Sequence, residues 1–248
     1  MASMPSHTLT QRSFNPIPAT SLYSFHGSDS VIENEEGLAI GASTTLEVLF
    51  RHAAIVKYTA VYMALRNVNG PANRRQKMIG SVLTPDVSSQ GVAAALMAHG
   101  ADIEVVGPDG SRVVNIMHYF SKPEKILSPG EKVKSFLIPS ANRDSSIYQS
   151  VDYLRSGQAV CGVAAWAQKS EDTLDKVRLV LSGCTAYPIY LERISGFLQG
   201  KECTTDQIEE VIRRLGEERL VLHTPQLMMG GHLFNLSKTL IKRALMTL

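Results

Sequence analysis

The sequence predicts an α+β protein, and three observations carry that prediction. Helical periodicity and strand-type runs fall in separate stretches of the 248-residue chain, without strict alternation. In the first half, Gly107-Pro108-Asp109-Gly110 supplies turn chemistry between two β-branched runs, which makes a hairpin. In the second half, three more such runs are followed by helices.

Taken in order, Gly37 to Ala42 reads as a short strand. Thr44 with Glu47 has the spacing of a capping box. Leu46, Leu49, Phe50, Ala53, Ala54, Val61 and Leu65 then follow at helical spacing, and Gly70-Pro71 is expected to stop that helix. Arg74 to Thr84 is left as a connecting loop, the kind of segment that carries chemistry when rigid elements hold it. Gly91 to His99 forms a helix with Gly100 as its C-terminal cap. Ile103–Val106 and Ser111–Val114 are the hairpin strands, and Val133 to Ile138 is a further strand. Tyr148 to Leu154, Ala159 to Gln168 and Val177 to Leu181 are expected to pair as a three-stranded sheet. Tyr190 to Leu198 is read as helical, Thr204 with Gln207 opens another helix, and Leu236 to Leu245 gives the last amphipathic one.

Bulk properties narrow the function. With 44% hydrophobic residues, the chain fills one large core or two small ones without staples. A net charge of +2, with no Lys/Arg block longer than a pair, argues against nucleic acid. No apolar run reaches the ~20 residues of a membrane span. Three widely spaced cysteines make neither a disulfide framework nor a metal pair, which points to a reducing, cytoplasmic setting. No metal site is expected. Residues 1–28 have one basic residue, Arg12, and no acid. They are read as a poorly ordered tail, with a targeting segment as the alternative.

Leu38 to Thr45, Ile79-Gly80 with Leu83, Gly100 to Gly110, Leu127 to Glu131, Ser182 to Pro188 and Lys242 to Leu245 together resemble the FAD-binding (medium) subunits of molybdenum hydroxylases, of the xanthine and carbon monoxide dehydrogenase type. Ile79, Gly80 and Leu83 stand where that family has the isoleucine, first glycine and leucine of its isoleucine-glycine-glycine-asparagine-leucine loop. Leu38 to Thr45 is similar to its strand-to-helix junction, and Gly100 to Val105 with Gly107 to Gly110 to its hairpin. Leu127 to Glu131 is similar to its leucine-x-proline-glycine-glutamate loop. Ser182 to Pro188 and Lys242 to Leu245 are similar to stretches of its C-terminal domain. The resemblance implies a flavin-subunit fold, PCMH-like, with its first FAD subdomain missing. It divides the chain into an atypical segment 1–36, a remnant of the second FAD subdomain 37–139, and a C-terminal domain 140–248.

The departures from the family pattern are equally specific. Ser81 replaces the second glycine, adding a Cβ that restricts positive φ, and Val82 replaces the asparagine. The family's serine-aspartate falls on Gln90-Gly91, and its tyrosine-x-lysine on Tyr148-Gln149-Ser150. A later arginine and aspartate fall on Tyr153 and Gly157, and an arginine on Tyr190. These changes lead to the expectation that no cofactor is bound and that the vacated cleft takes a small organic ligand, with cyclisation or isomerisation as cofactor-independent chemistry.

Asp86, Tyr148, Tyr153, Tyr190 and His118 are the candidate catalytic residues. Arg74, Arg75, Ser88, Ser89, Gln90 and Ser150 are the candidate ligand contacts. The plainer alternatives are an Asx-turn for Asp86, a tucked structural histidine for His118, a solvent-facing pair for Arg74-Arg75 and core packing for Cys161. Met228 to His232 reads equally as a tight backbone approach or a flexible connection.

The redox alternative is an FAD-bearing electron-transfer subunit with Ile79, Gly80 and Ser81 on the cofactor, working with molybdopterin and iron–sulfur subunits. A third reading is a structural subunit of such a complex.

Overall fold

The fold begins with a reversal that Asn34 builds. Its side-chain oxygen accepts the amides of Glu36 (3.0 Å) and Gly37 (2.9 Å), turning β1 (Val31–Asn34) into β2 (Gly37–Gly41). A Cβ at Gly37 would lie 2.0 Å from the Ile138 carbonyl, so only glycine allows this approach. Strand β1 lies in the segment read as atypical, where no strand was expected. The computed structural model describes residues 29–122, 126–141, 144–152, 159–218, 220 and 230–248.

Helix α1 (Leu46–Arg51) follows. Its cap is Thr45, whose hydroxyl accepts from the Val48 amide, whereas Thr44 donates to Ser30 and Glu47 reaches Arg51 and Arg74. The expected capping box does not form: the cap moves by one residue to Thr45, and Glu47 is taken up by two guanidinium partners. The predicted long helix is broken by His52 and Tyr58 into α1, a 3₁₀ turn Ala53–Lys57 and α2 (Thr59–Asn67). Gly70-Pro71 opens α3 (Gly70–Gln76) instead of stopping a helix, since proline at the first turn loses no hydrogen bond. Arg74 and Arg75 are thus helical, and the connecting segment narrows to a 3₁₀ turn, Ile79–Leu83.

Helix α4 (Gln90–His99) is buried along its whole length and ends on Gly100 in the left-handed region, as its Gly-cap sequence predicts. Strands β3 (Asp102–Gly107) and β4 (Gly110–Asn115) form the hairpin, α5 (Ile116–Ser121) follows, and β5 (Lys132–Pro139) completes the first sheet. Its strand order is β1-β2-β5-β3-β4, antiparallel throughout.

The second sheet is a meander of β6 (Asp144–Asp152), β7 (Ala159–Ser170) and β8 (Thr173–Ser182). Two short strands join the far edge of β8, so it has five strands where three were expected. They are β9 (Ile189–Tyr190) and β10 (Lys201–Glu202), flanking α6 (Glu192–Leu198). Helix α7 (Thr205–Arg214) has Thr204 as its cap, and α8 (Gly230–Leu245) closes the chain.

The second sheet is the wall between two cores. Along β7, Ala164 and Trp166 face the core of the first sheet and α1–α5. Cys161, Val163, Ala165 and Ala167 face α6–α8. This two-residue alternation on a sheet buried on both faces explains why β7 reads as a continuous apolar run.

Candidate functional site

The segment after α3 is tied to the junction between β2 and α1 by its own backbone. Leu46 N–H donates to Lys77 (2.9 Å), Ile79 N–H to Thr44 (2.8 Å) and Gly80 N–H to Ala42 (2.9 Å). A Cβ at Gly80 would sit 3.0 Å from the Ala42 carbonyl, so this glycine serves an approach of the chain to itself. Ser81 donates both N–H (3.0 Å) and hydroxyl (2.7 Å) to Met78, and Thr84 donates both of its groups to Ser81. Ile79, Val82 and Leu83 are buried in the first core.

Immediately after it, Lys77 Nζ contacts Asp86 Oδ2 and Ser88 Oγ, while Ser88 donates its amide (3.0 Å) and hydroxyl (2.7 Å) to Asp86 Oδ1. Burial raises the Asp86 carboxyl, but the hydrogen bonds from Lys77 and Ser88 together outweigh it and hold the group below its ordinary range. Asp86 is thus an ion-paired turn residue. Ser89 is buried with its hydroxyl on the Asp86 carbonyl. Gln90 is buried too and bridges to the loop after β8. Its Nε2 donates to Thr185 (3.2 Å) and Ala186 (2.8 Å), and its Oε1 accepts from Gly183 (2.9 Å).

Tyr148 lies between α4 and β7 in a slot made by two glycines. A Cβ at Gly91 would be 2.5 Å from its hydroxyl oxygen, and one at Gly162 would be 2.4 Å away. Burial, partly offset by hydrogen bonding with Ser182, pushes its phenol up to about 12. Ser150, two residues on, accepts from Asn67 (2.9 Å) and donates to Asp152 (2.7 Å). Ser88, Gly91, Tyr148, Asp152 and Ala159 border a hollow of ≈ 10 Å³, room for about one water. In this part of the expected cleft the Tyr148 ring fills the space between Gly91 and Gly162.

The remaining candidates are dispersed. Arg74 is buried, with Nε 2.8 Å from Glu47 Oε2, Nη1 3.3 Å from the Val68 carbonyl and its guanidinium 4.4 Å over the Phe50 ring. That is neither a ligand clamp nor a solvent-facing residue. Arg75 and His118 are exposed, the latter on α5, so the expected tucked histidine is absent there. Tyr190 is half-buried in β9, its phenol raised by burial. Tyr153, Gly157, Met228 and Met229 lie outside the described residues; Gly230 to His232 open α8.

A dinucleotide pyrophosphate is gripped by free backbone amides where no Cβ intervenes. Here the amides of Ile79, Gly80 and Ser81 all donate to protein carbonyls, the space a Gly80 Cβ would take faces Ala42, and Lys77 is neutralised by Asp86. The turn does not by itself fit the pyrophosphate of FAD.

Sequence reasoning missed two features. Cys161 and Cys184 are brought into contact, and His99 is buried beside Tyr58 and near the Arg178 charge. The first follows from strand register, the second from the tertiary fold, and neither leaves a local motif.

A family model described as the FAD binding domain in molybdopterin dehydrogenase matches residues 11–141, more than half of the chain. The match begins inside the segment read as a tail; its residues 11–28 lie outside those described. Among solved structures, CO dehydrogenase from Oligotropha carboxidovorans aligns with a TM-score of 0.79 at 18% identity, over 89% of this chain and 78% of that one. Carbon monoxide dehydrogenase from Hydrogenophaga pseudoflava gives 0.80 at 20% identity, over 89% and 77%. Quinoline 2-oxidoreductase from Pseudomonas putida 86 gives 0.74 at 18%, over 88% and 76%. At these identities the structures establish the fold.

Proposed function

Since the chain belongs to the family of FAD binding domains in molybdopterin dehydrogenase, we propose that it is the flavin-subunit component of a molybdenum hydroxylase-type complex. We propose further that its flavin is seated jointly, with groups supplied by a partner chain. In that role the protein carries electrons between molybdopterin and iron–sulfur partners and an external acceptor. FAD supplies the redox chemistry when bound; the buried Ile79, Val82 and Leu83 anchor the turn in the first core and so hold this wall of the seat rigid.

The observation that carries the reading is the family match across residues 11–141, which contains the whole 79–83 turn. The closed hydrogen bonding of that turn is the reason for a shared seat. The hollow beside Tyr148, at ≈ 10 Å³, is itself far below the several hundred Å³ of ordinary ligand sites.

The test is flavin content, read as the fluorescence of acid-released cofactor. The chain purified alone should release none, and the same chain co-expressed with the molybdopterin and iron–sulfur subunits of its complex should release it. A stoichiometric flavin on the isolated chain would refute the shared seat. A complex that assembles without any flavin would refute the redox role and return the cleft reading to the front.

A further inference from the structure

We propose that Cys161 and Cys184 form a thiol pair that closes to a disulfide when a low-molecular-weight disulfide, such as oxidised glutathione, reaches it. The inference stands apart from the flavin question.

The two cysteines are 23 positions apart in sequence, yet their Sγ atoms are in contact at 3.7 Å. Strand register brings them there. Gly162 of β7 pairs with Ser182 of β8, so the next residues outward are Cys161 and the loop Gly183-Cys184. Gly183 has φ +81°, and a Cβ on it would meet the Ala159 carbonyl at 3.0 Å. The loop therefore turns tightly over the start of β7. A disulfide needs roughly 2.05 Å between the sulfurs, leaving a gap of about 1.7 Å, which is within the travel of a thiol about its Cα–Cβ bond.

Both thiols are free and buried, so the reagent enters only when the 183–186 loop lifts. Hydrogen bonds from Gln90 tie that loop to α4 at Gly183, Thr185 and Ala186. Such a tie opens locally without unfolding either sheet. Cys184 lies on the loop that lifts, whereas Cys161 sits within β7, so Cys184 meets the reagent first.

The chemistry balances without any other reactant. The Cys184 thiolate attacks one sulfur of oxidised glutathione, releasing one glutathione and leaving a mixed disulfide. The Cys161 thiolate then attacks Cys184 Sγ and expels the second glutathione. Two protein thiols are oxidised, one glutathione disulfide is reduced, and both protons end on the glutathione thiols. The product fixes the loop that Gln90 holds, and with it the start of α4 beside the Lys77–Asp86–Ser88 network.

Cys203 provides an internal control. It is half-buried, its Sγ lies 3.5 Å from the Leu245 carbonyl, and no second thiol is near it among the described residues. Full-length protein is incubated with oxidised glutathione and mapped as peptides without reduction. The expected map joins the Cys161 and Cys184 peptides, two hydrogens lighter and without glutathione, and shows glutathione only on Cys203. In Cys161→Ser, Cys184 should instead retain glutathione. If that variant does not fold, the wild-type map decides alone. The proposal is overturned if Cys161 and Cys184 both stay reduced while Cys203 is fully modified, including in urea below the unfolding midpoint. It is equally overturned if either cysteine pairs with Cys203 instead.

Discussion

Replacing Gly162 by alanine tests the wedge that joins the two halves of this molecule. The new Cβ would lie 2.4 Å from the Tyr148 hydroxyl oxygen, and 2.9 Å from both Tyr148 Cζ and Ser182 Oγ. Carbon atoms rest at roughly 3.5–4.0 Å, so something must move. The ring cannot retreat toward α4, because a Cβ at Gly91 would already stand 2.5 Å from the same oxygen, and only 4% of Tyr148 is exposed. Overpacking of this kind costs about 1–3 kcal/mol. Tyr148→Ala should itself cost about 3–5 kcal/mol by leaving a cavity, but Gly162→Ala in that background puts a methyl into vacated space and should cost close to nothing. The coupling energy is then about 1–3 kcal/mol. Urea denaturation of the four proteins measures it, with the midpoint falling and the slope unchanged. If Gly162→Ala is neutral within ~0.5 kcal/mol, or costs the same with and without the tyrosine ring, the wedge is wrong. Should Tyr148→Ala not fold, Tyr148→Phe removes the closest atom and should relieve part of the cost.

Three further outcomes follow from the same contacts. Burial, assisted by the Arg178 charge, pushes His99 down to about 3, so the folded protein keeps it neutral where an unfolded chain protonates it near 6.5. Its contribution is intact above about pH 6.5 and is lost as pH falls toward 3, so His99→Leu should flatten that limb of a stability–pH curve. Asp86, held below its usual range, contributes above its ordinary value and loses that contribution as pH falls through its folded one; a carboxyl NMR titration should place its midpoint below that of a free aspartate. Trp166, the chain's single tryptophan, is buried, donates to Asp144 at 3.1 Å and carries the Arg178 guanidinium 3.9 Å over its ring. Arg178→Leu removes that cation and the 2.7 Å bond to the Ala98 carbonyl at the end of α4, and should cost about 1–3 kcal/mol and shift the indole emission.

What was legible in the sequence was local. The hairpin and the Gly100 cap each rest on residues a few positions apart and form as read; the meander forms with β6 and β8 starting four residues earlier, and Thr204 caps its helix while Gln207 Oε1 is left without a partner among the described residues. Tertiary contacts overrode the rest. Glu47 has capping-box spacing but finds Arg51 and Arg74, and Gly70-Pro71 starts a helix because the chain has already turned at Val68 and Asn69. Strand β1 was invisible because its four residues, Val-Ile-Glu-Asn, are too short for a periodicity and depend on β2 for pairing. At the site, hydroxyls and charges were read as facing a ligand. Asp86, Gln90, Tyr148 and Arg74 turn instead toward partners 9, 93 to 96, 34 and 27 positions away, respectively, which spacing alone does not reveal.

The most direct measurement is the ratio of FAD to polypeptide, determined on acid-released cofactor from the chain alone and from the co-purified complex. A ratio near zero for the chain and near one flavin per copy in the assembly is the predicted result. Equal ratios in the two preparations, whether both full or both empty, would contradict it.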